Sequence, residues 1–93
     1  MEEDIETIKA YLSLISFKSP FAKIWTNLLT RLNVILSSKI YKVSPKVAKA
    51  MLTSAEQITS FLSNVALNLT DRAFLAALSI EISHLREKIG GAK

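Results

Sequence analysis

Residues 44–69 read SPKVAKAMLTSAEQITSFLSNVALNL, and the fold class follows from the period of that run. Val47, Met51, Ala55, Ile58, Leu62, Val65 and Leu69 recur at steps of three and four. At about 100° per residue they share one arc of a helix surface. Lys46, Lys49, Thr53, Glu56, Gln57, Ser60, Ser63 and Asn64 fall on the other arc. Ser44-Pro45 is a start signal, because a serine hydroxyl can accept from an early amide and proline suits the first helical position. The predicted helix covers about 45–69. Its apolar stripe needs other helices to cover it, since packing rather than propensity supplies most helical stability.

Three further segments can do this. The first helix is predicted over about 3–17, with Ile5, Ile8, Leu12 and Ile15 as its stripe and Tyr11 beside it. Its acids sit in the first turn, where the positive end of the helix dipole favours them. The second is predicted over about 20–38, opened by Ser19-Pro20, with a broad face of Phe21, Ile24, Trp25, Leu28, Leu29, Leu32, Ile35 and Leu36. Trp25 lies on that stripe and is expected in the core. The fourth is predicted over about 71–89, with Thr70 as N-cap, Asp71 in its first turn and Gly90-Gly91 as its stop. Its stripe is Phe74, Leu75, Leu78, Ile82, Leu85 and Ile89. Ser37 to Val43 breaks the helical period and alternates, which predicts an extended connection, with any short strand there lacking an obvious partner. The expectation is therefore all-α, a compact four-helix bundle in one domain over 1–93 with negligible β structure. Short connections predict that helices 1 and 2 are neighbours, as are helices 3 and 4.

Composition agrees. A chain of 93 residues with two glycines and two prolines favours helices over a turn-rich β fold. The sequence has no cysteine, which removes disulfides, thiolate chemistry and cysteine-based zinc sites. The opening Met1-Glu2-Glu3-Asp4 is acidic where a secretory signal is basic. The longest uncharged run, Gln57 to Thr70, is too short and polar to span a bilayer. A cytoplasmic protein without a membrane segment is expected.

No reactive centre is legible. The single histidine, His84, lacks the further ligands that a zinc site needs. Glu2, Glu3, Asp4 and Glu6 lack the spacing of a calcium loop. The only glycines are Gly90 and Gly91, so there is no phosphate-cradling loop. The serines have no base partner and no nucleophile-elbow context. The chain is expected to be no enzyme and to need no cofactor or metal.

Charge is more informative. The formal net charge is +4, and between Glu6 and Glu56 no acid appears while lysines accumulate, most densely at Lys39, Lys42, Lys46 and Lys49. Those four, with Tyr41 between them as a stacking ring, form a candidate contact for nucleic-acid phosphate or an acidic protein. The first and fourth helices also carry second apolar lines, Ala10, Leu14 and Phe17 on one, Ala73, Ala76 and Ile80 on the other. These exceed what a minimal bundle needs and form a candidate protein interface. The function expected is a small non-catalytic accessory or adaptor subunit that binds a larger protein partner, or itself, within a nucleic-acid-processing assembly such as a DNA or RNA polymerase complex. The alternative is a direct basic DNA- or RNA-binding protein, dimeric, with a helix-turn-helix-like element at 45–65. Thr53 and Glu56 could start a second helix there as a capping box. Leu52 stands where the tight turn usually wants glycine, and the stripe keeps its phase throughout, which both oppose that alternative.

Overall fold

Ser44-Pro45 does begin a long helix. A computed structural model describes residues 2–15 and 21–91. Among the described residues all regular structure is helical, in five helices: α1 (Glu2–Leu14), α2 (Ala22–Ser38), α3 (Ile40–Val43), α4 (Pro45–Val65) and α5 (Leu69–Gly91). The all-α class is as expected, but the count is five rather than four. The Cα trace measures 40 × 20 × 19 Å. α5 is the longest helix, and its 23 residues span roughly 34 Å at the α-helical rise.

The additional helix replaces the extended connection. Ser37 and Ser38 complete α2, and Lys39 then takes the left-handed conformation, φ 54° and ψ 37°. A residue with a Cβ pays of order 1 kcal/mol there. The one turn of α3 follows, with the Lys42 N–H donating to Lys39 O (2.9 Å) and the Ser44 N–H to Ile40 O (2.7 Å). A lone strand would have left those backbone groups without partners, whereas a helical turn satisfies its own. It also turns Tyr41 into the core, and burial of that ring rewards the turn.

Other boundaries shift for similar reasons. Ile15 is outside α1 and buried. Phe17 and the predicted Ser19-Pro20 start lie outside the described residues. Phe21 occupies the N-cap position of α2, so that helix begins at Ala22. α4 ends at Val65 rather than 69, because Ala66 is extended, at φ −65° and ψ 133°. The cap of α5 is Asn68 rather than Thr70: its Oδ1 accepts from the Thr70 and Asp71 amides at 2.7 and 3.3 Å. Arg72 Nε donates to Ala66 O (2.5 Å), tying the turn to the first turn of α5. Gly90-Gly91 does not stop α5, which continues through both.

In space the helices run α2–α4–α5–α1, each antiparallel to its neighbour. Arg31 Nη1 donates to Ser54 Oγ (3.0 Å) and Phe21 meets Phe61 edge-on (5.8 Å between ring centres), joining α2 to α4. Glu56 pairs with Arg86 between α4 and α5. Asp4 pairs with Lys88 (2.5 Å) and Tyr11 packs on Phe74 (6.0 Å), joining α1 to α5. α1 thus packs along α5 and not along α2, contrary to the expectation from their short connection. A short connection brings two helix ends together but does not choose which faces meet.

α4 lies between α2 and α5, and this turns its buried line. Full burial follows Ala48, Leu52, Ala55, Thr59 and Leu62. Met51, Ile58 and Val65 are half-buried flanks, and Val47 is largely exposed. Small side chains at the centre of the helix let both neighbours approach closely. The buried Thr59 hydroxyl is satisfied by donating to Ala55 O (2.7 Å). Leu28, Leu32 and Ile35 of α2, Leu75, Leu78, Ile82 and Leu85 of α5 and Ile8 of α1 complete one continuous core. The accessible surface is 5612 Å², close to the roughly 5,400 Å² expected for a compact monomer of this mass. The core is therefore closed by this chain alone, and the apolar groups that remain outside are surface features.

Candidate functional site

Two surfaces gather the residues singled out from the sequence. The first is the corner where α3 meets α4. Lys39 stands at the left-handed junction, Lys42 in α3, and Lys46 and Lys49 in the first two turns of α4. All four are exposed, and none forms an ion pair with another described residue. Ser44 occupies the N-cap position, yet its hydroxyl makes no capping bond, and α4 has no acid in its first turn. Positive charge is thus concentrated at the positive end of the helix dipole, an arrangement unfavourable for the helix itself.

Tyr41 does not belong to this surface. Its side chain is 7% exposed and packs in the core, so its ring face is not available to a base. Two valines near it in sequence are also exposed, Val43 at 84% and Val47 at 47%. The periodicity places Val47 on the buried stripe, and its exposure follows from the rotation of that stripe toward Ala48 and Leu52. Val43 falls in the predicted extended connection, where the sequence pattern gives its side chain no direction.

The second surface is formed by α1 and α5. Ala10 and Leu14 of α1 and Ala73, Ala76 and Ile80 of α5 are exposed, with Leu14 and Ile80 both at 56%. On each helix they lie opposite the buried stripe. Because the two helices are antiparallel neighbours that turn their stripes to one core, the two lines look outward on the same side of the molecule. Phe17, the third member of the first line, lies outside the described residues. At one end this face is crossed by the Asp4–Lys88 pair. The Asp4 side chain is only 12% exposed there. The Lys88 hydrogen bond and charge hold its carboxyl below the usual aspartate value despite partial burial. The same bond holds the Lys88 ammonium above its usual value.

A third apolar group lies at the α4–α5 turn, where Leu67 is 93% exposed and Leu69 is nearly as open. The periodicity puts Leu69 in the α4 stripe, but that helix stops one turn short of it. Among the described residues no three of His, Asp and Glu come together as metal ligands. His84 is exposed on α5. Among the described residues no helix is long and apolar enough to cross a membrane.

Comparisons with protein-family models, with curated proteins and with solved structures each returned no match to this chain.

Proposed function

We propose that this protein is a non-catalytic helical adaptor that docks on a larger protein partner through the outward face of α1 and α5. The observation that carries the reading is the exposure of Leu14 and Ile80 beside Ala10, Ala73 and Ala76 on a chain whose core is already closed. The small side chains let a partner helix approach closely, and the two branched ones provide anchors. A nucleic-acid-processing assembly, such as a polymerase complex, is the proposed setting, because neighbouring phosphates or acidic subunits there would give the lysine corner its counter-charge.

The test compares recovery of partners from native cell extract by the wild type and by Leu14→Glu/Ile80→Glu. The wild type should recover a defined partner in near-stoichiometric amount, and the variant should lose it while its helical circular dichroism is unchanged. Equal recovery by both removes this face from the function.

A second reading, direct binding of DNA or RNA, is favoured by one observation: the four lysines of the corner are exposed and lack ion-pair partners among the described residues. Its helix-turn-helix form is overturned, since Pro45–Val65 is one unbroken helix with Leu52 and Ala55 both buried. If all four lysines engage phosphates, log K should fall with log[salt] at a slope of about −3.6. Lys42→Glu/Lys46→Glu should abolish binding. No binding to duplex or single-stranded DNA or RNA at low salt eliminates this reading.

A further inference from the structure

We infer that the outward line of α5 is the contact of a two-fold dimer, with a second copy of this chain lying antiparallel upon it. This deepens the adaptor reading and rests on its claim that the outward face is a contact surface. It gives the α5 half of that face its own occupant and leaves Ala10 and Leu14 of α1 to the larger partner. The fold adds one residue to the line. α4 ends at Val65 and α5 begins at Leu69, so Leu69 falls in phase with Ala73, Ala76 and Ile80. At about 100° per residue the four share an arc of about 60°, centred opposite the buried Leu75, Leu78, Ile82 and Leu85. All four are exposed, Leu69 at 77% and Ile80 at 56%.

The spacing points to self-pairing. Steps along the line are four, three and four, the same from either end. A two-fold axis between Ala73 and Ala76 therefore sets Leu69 of each copy on Ile80 of the other, and Ala73 on Ala76. The alanines let the two backbones approach, and the larger side chains close the contact at both ends. Such a patch is self-complementary, as a two-fold interface requires. The antiparallel sense follows from Glu87, which continues the line beyond Ile80 and is exposed. A parallel pair would set Glu87 beside its own copy with the helix dipoles aligned, whereas the antiparallel pair separates these like charges.

Charge and area agree with this occupant. The Glu56–Arg86 pair and the Ser63 hydroxyl, which donates to Arg72 O (3.4 Å), bracket the stretch of α4 that flanks α5. Between them α4 exposes Gln57, Ser60 and Phe61, none of them charged. Beside Phe74, α1 runs from Ala10 to Leu14 without a charge. A second copy thus buries no ionised side chain on those flanks. A leucine or isoleucine exposes roughly 160 Å² in an unfolded chain, so Leu69 and Ile80 leave about 200 Å² in water on each copy and about 400 Å² over the pair. With the alanines and a polar rim, that apolar centre suits an interface of about 1,000–1,200 Å², the lower end for a specific contact.

Sedimentation equilibrium of the full chain tests the pairing. From about 1 μM to 1 mM the mass should rise from 10.3 kDa toward twice that value. Ile80→Glu should remain monomeric with unchanged helical circular dichroism, and Ile80→Leu and Leu14→Glu should dimerise as the wild type does. Because the chain has no cysteine, oxidative cross-linking reads the register directly. A mixture of Leu69→Cys and Ile80→Cys chains should link in pairs, and neither variant should link to itself. A monomer at every concentration, a dimer that survives Ile80→Glu, or linking of Leu69→Cys to itself overturns the inference. Absence of a dimer, with a partner still recovered by the wild type and lost by Leu14→Glu/Ile80→Glu, overturns the self-contact and leaves the adaptor reading standing. A dimer of the expected register, with partner recovery indifferent to Leu14→Glu, supports the self-contact and removes α1 from the adaptor reading.

Discussion

α5 has two long neighbours, and they are held to it by different means. Toward α4 the contact is closed: Leu52, Ala55, Thr59 and Leu62 meet Leu75, Leu78, Ile82 and Leu85 with no side chain left in contact with solvent. The Glu56–Arg86 pair along its edge is itself about three-quarters buried. Toward α1 the contact has fewer fully buried groups. Ile8 is sealed, Ile5 and Ile15 nearly so, while Tyr11 and Phe74 are half-buried and the closing ion pair includes a largely exposed Lys88. The difference separates what stabilises the fold from what is available for function. The α4–α5 seam uses small residues to bring backbones together, and α1 covers the far side of α5 with less buried surface. Elements with fewer buried contacts open at lower free energy, so α1 should exchange its amides well before α4 and α5 do.

Truncation in the closed seam should have the largest effect. Leu52→Ala should cost about 2–5 kcal/mol, since the site is fully buried and hemmed in on both sides. Urea denaturation followed by circular dichroism measures it, and a loss under 1 kcal/mol would mean the seam is looser than its burial indicates. Next comes the close approach itself. Ala55→Leu should destabilise by about 1–3 kcal/mol through overpacking, and a neutral result would show room between α4 and its neighbours. The ion pair ranks third. Replacing Glu56 by Gln should cost about 1 kcal/mol, between the values for exposed and buried pairs. A double-mutant cycle with Arg86→Met isolates the coupling, and additivity would show that the pair contributes nothing.

The smallest effect belongs to the α1 seam and depends on pH. The Asp4 carboxyl is held below its ordinary value of 3.8 in the folded protein. Its contribution is therefore complete above that value and is lost as pH falls through the lower folded one. Lys88 behaves in the opposite sense: raised above 10.5, it contributes fully below that value and loses its contribution as pH climbs through the higher folded one. Urea midpoints of the wild type and Asp4→Asn should differ at pH 6 and converge as pH falls below the aspartate range. A constant difference down to pH 2 would show that Asp4 acts through packing rather than charge.

Much of the helical content was legible because it depends on local periodicity. The buried faces of α2 and α5 are the predicted ones, down to Trp25, Leu28 and Leu32 on one and Leu75, Leu78 and Ile82 on the other. The face of α4 is only partly the predicted one: Ala55 and Leu62 of the predicted stripe are fully buried, but Val47, Met51 and Ile58 give way to Ala48, Leu52 and Thr59, because a helix between two neighbours is buried along the line midway between them. At the candidate sites, the lysines and the outward lines on α1 and α5 were visible as patterns. Tyr41, Val43, Leu67 and Leu69 were not, because their directions depend on the turn at Lys39 and the break at Ala66.

Local periodicity and composition were enough to establish that this chain is helical, where its long helices run to within a few residues, and that its positive charge gathers between Lys39 and Lys49. These properties depend on residues a turn or two apart. The tertiary structure alone decided that α1 lies against α5 rather than α2, that Tyr41 goes inward while Val43 stays out, and that two apolar lines remote in sequence share one face. Those outcomes depend on which surfaces meet, and burial is a property of the whole assembled packing rather than of any one segment.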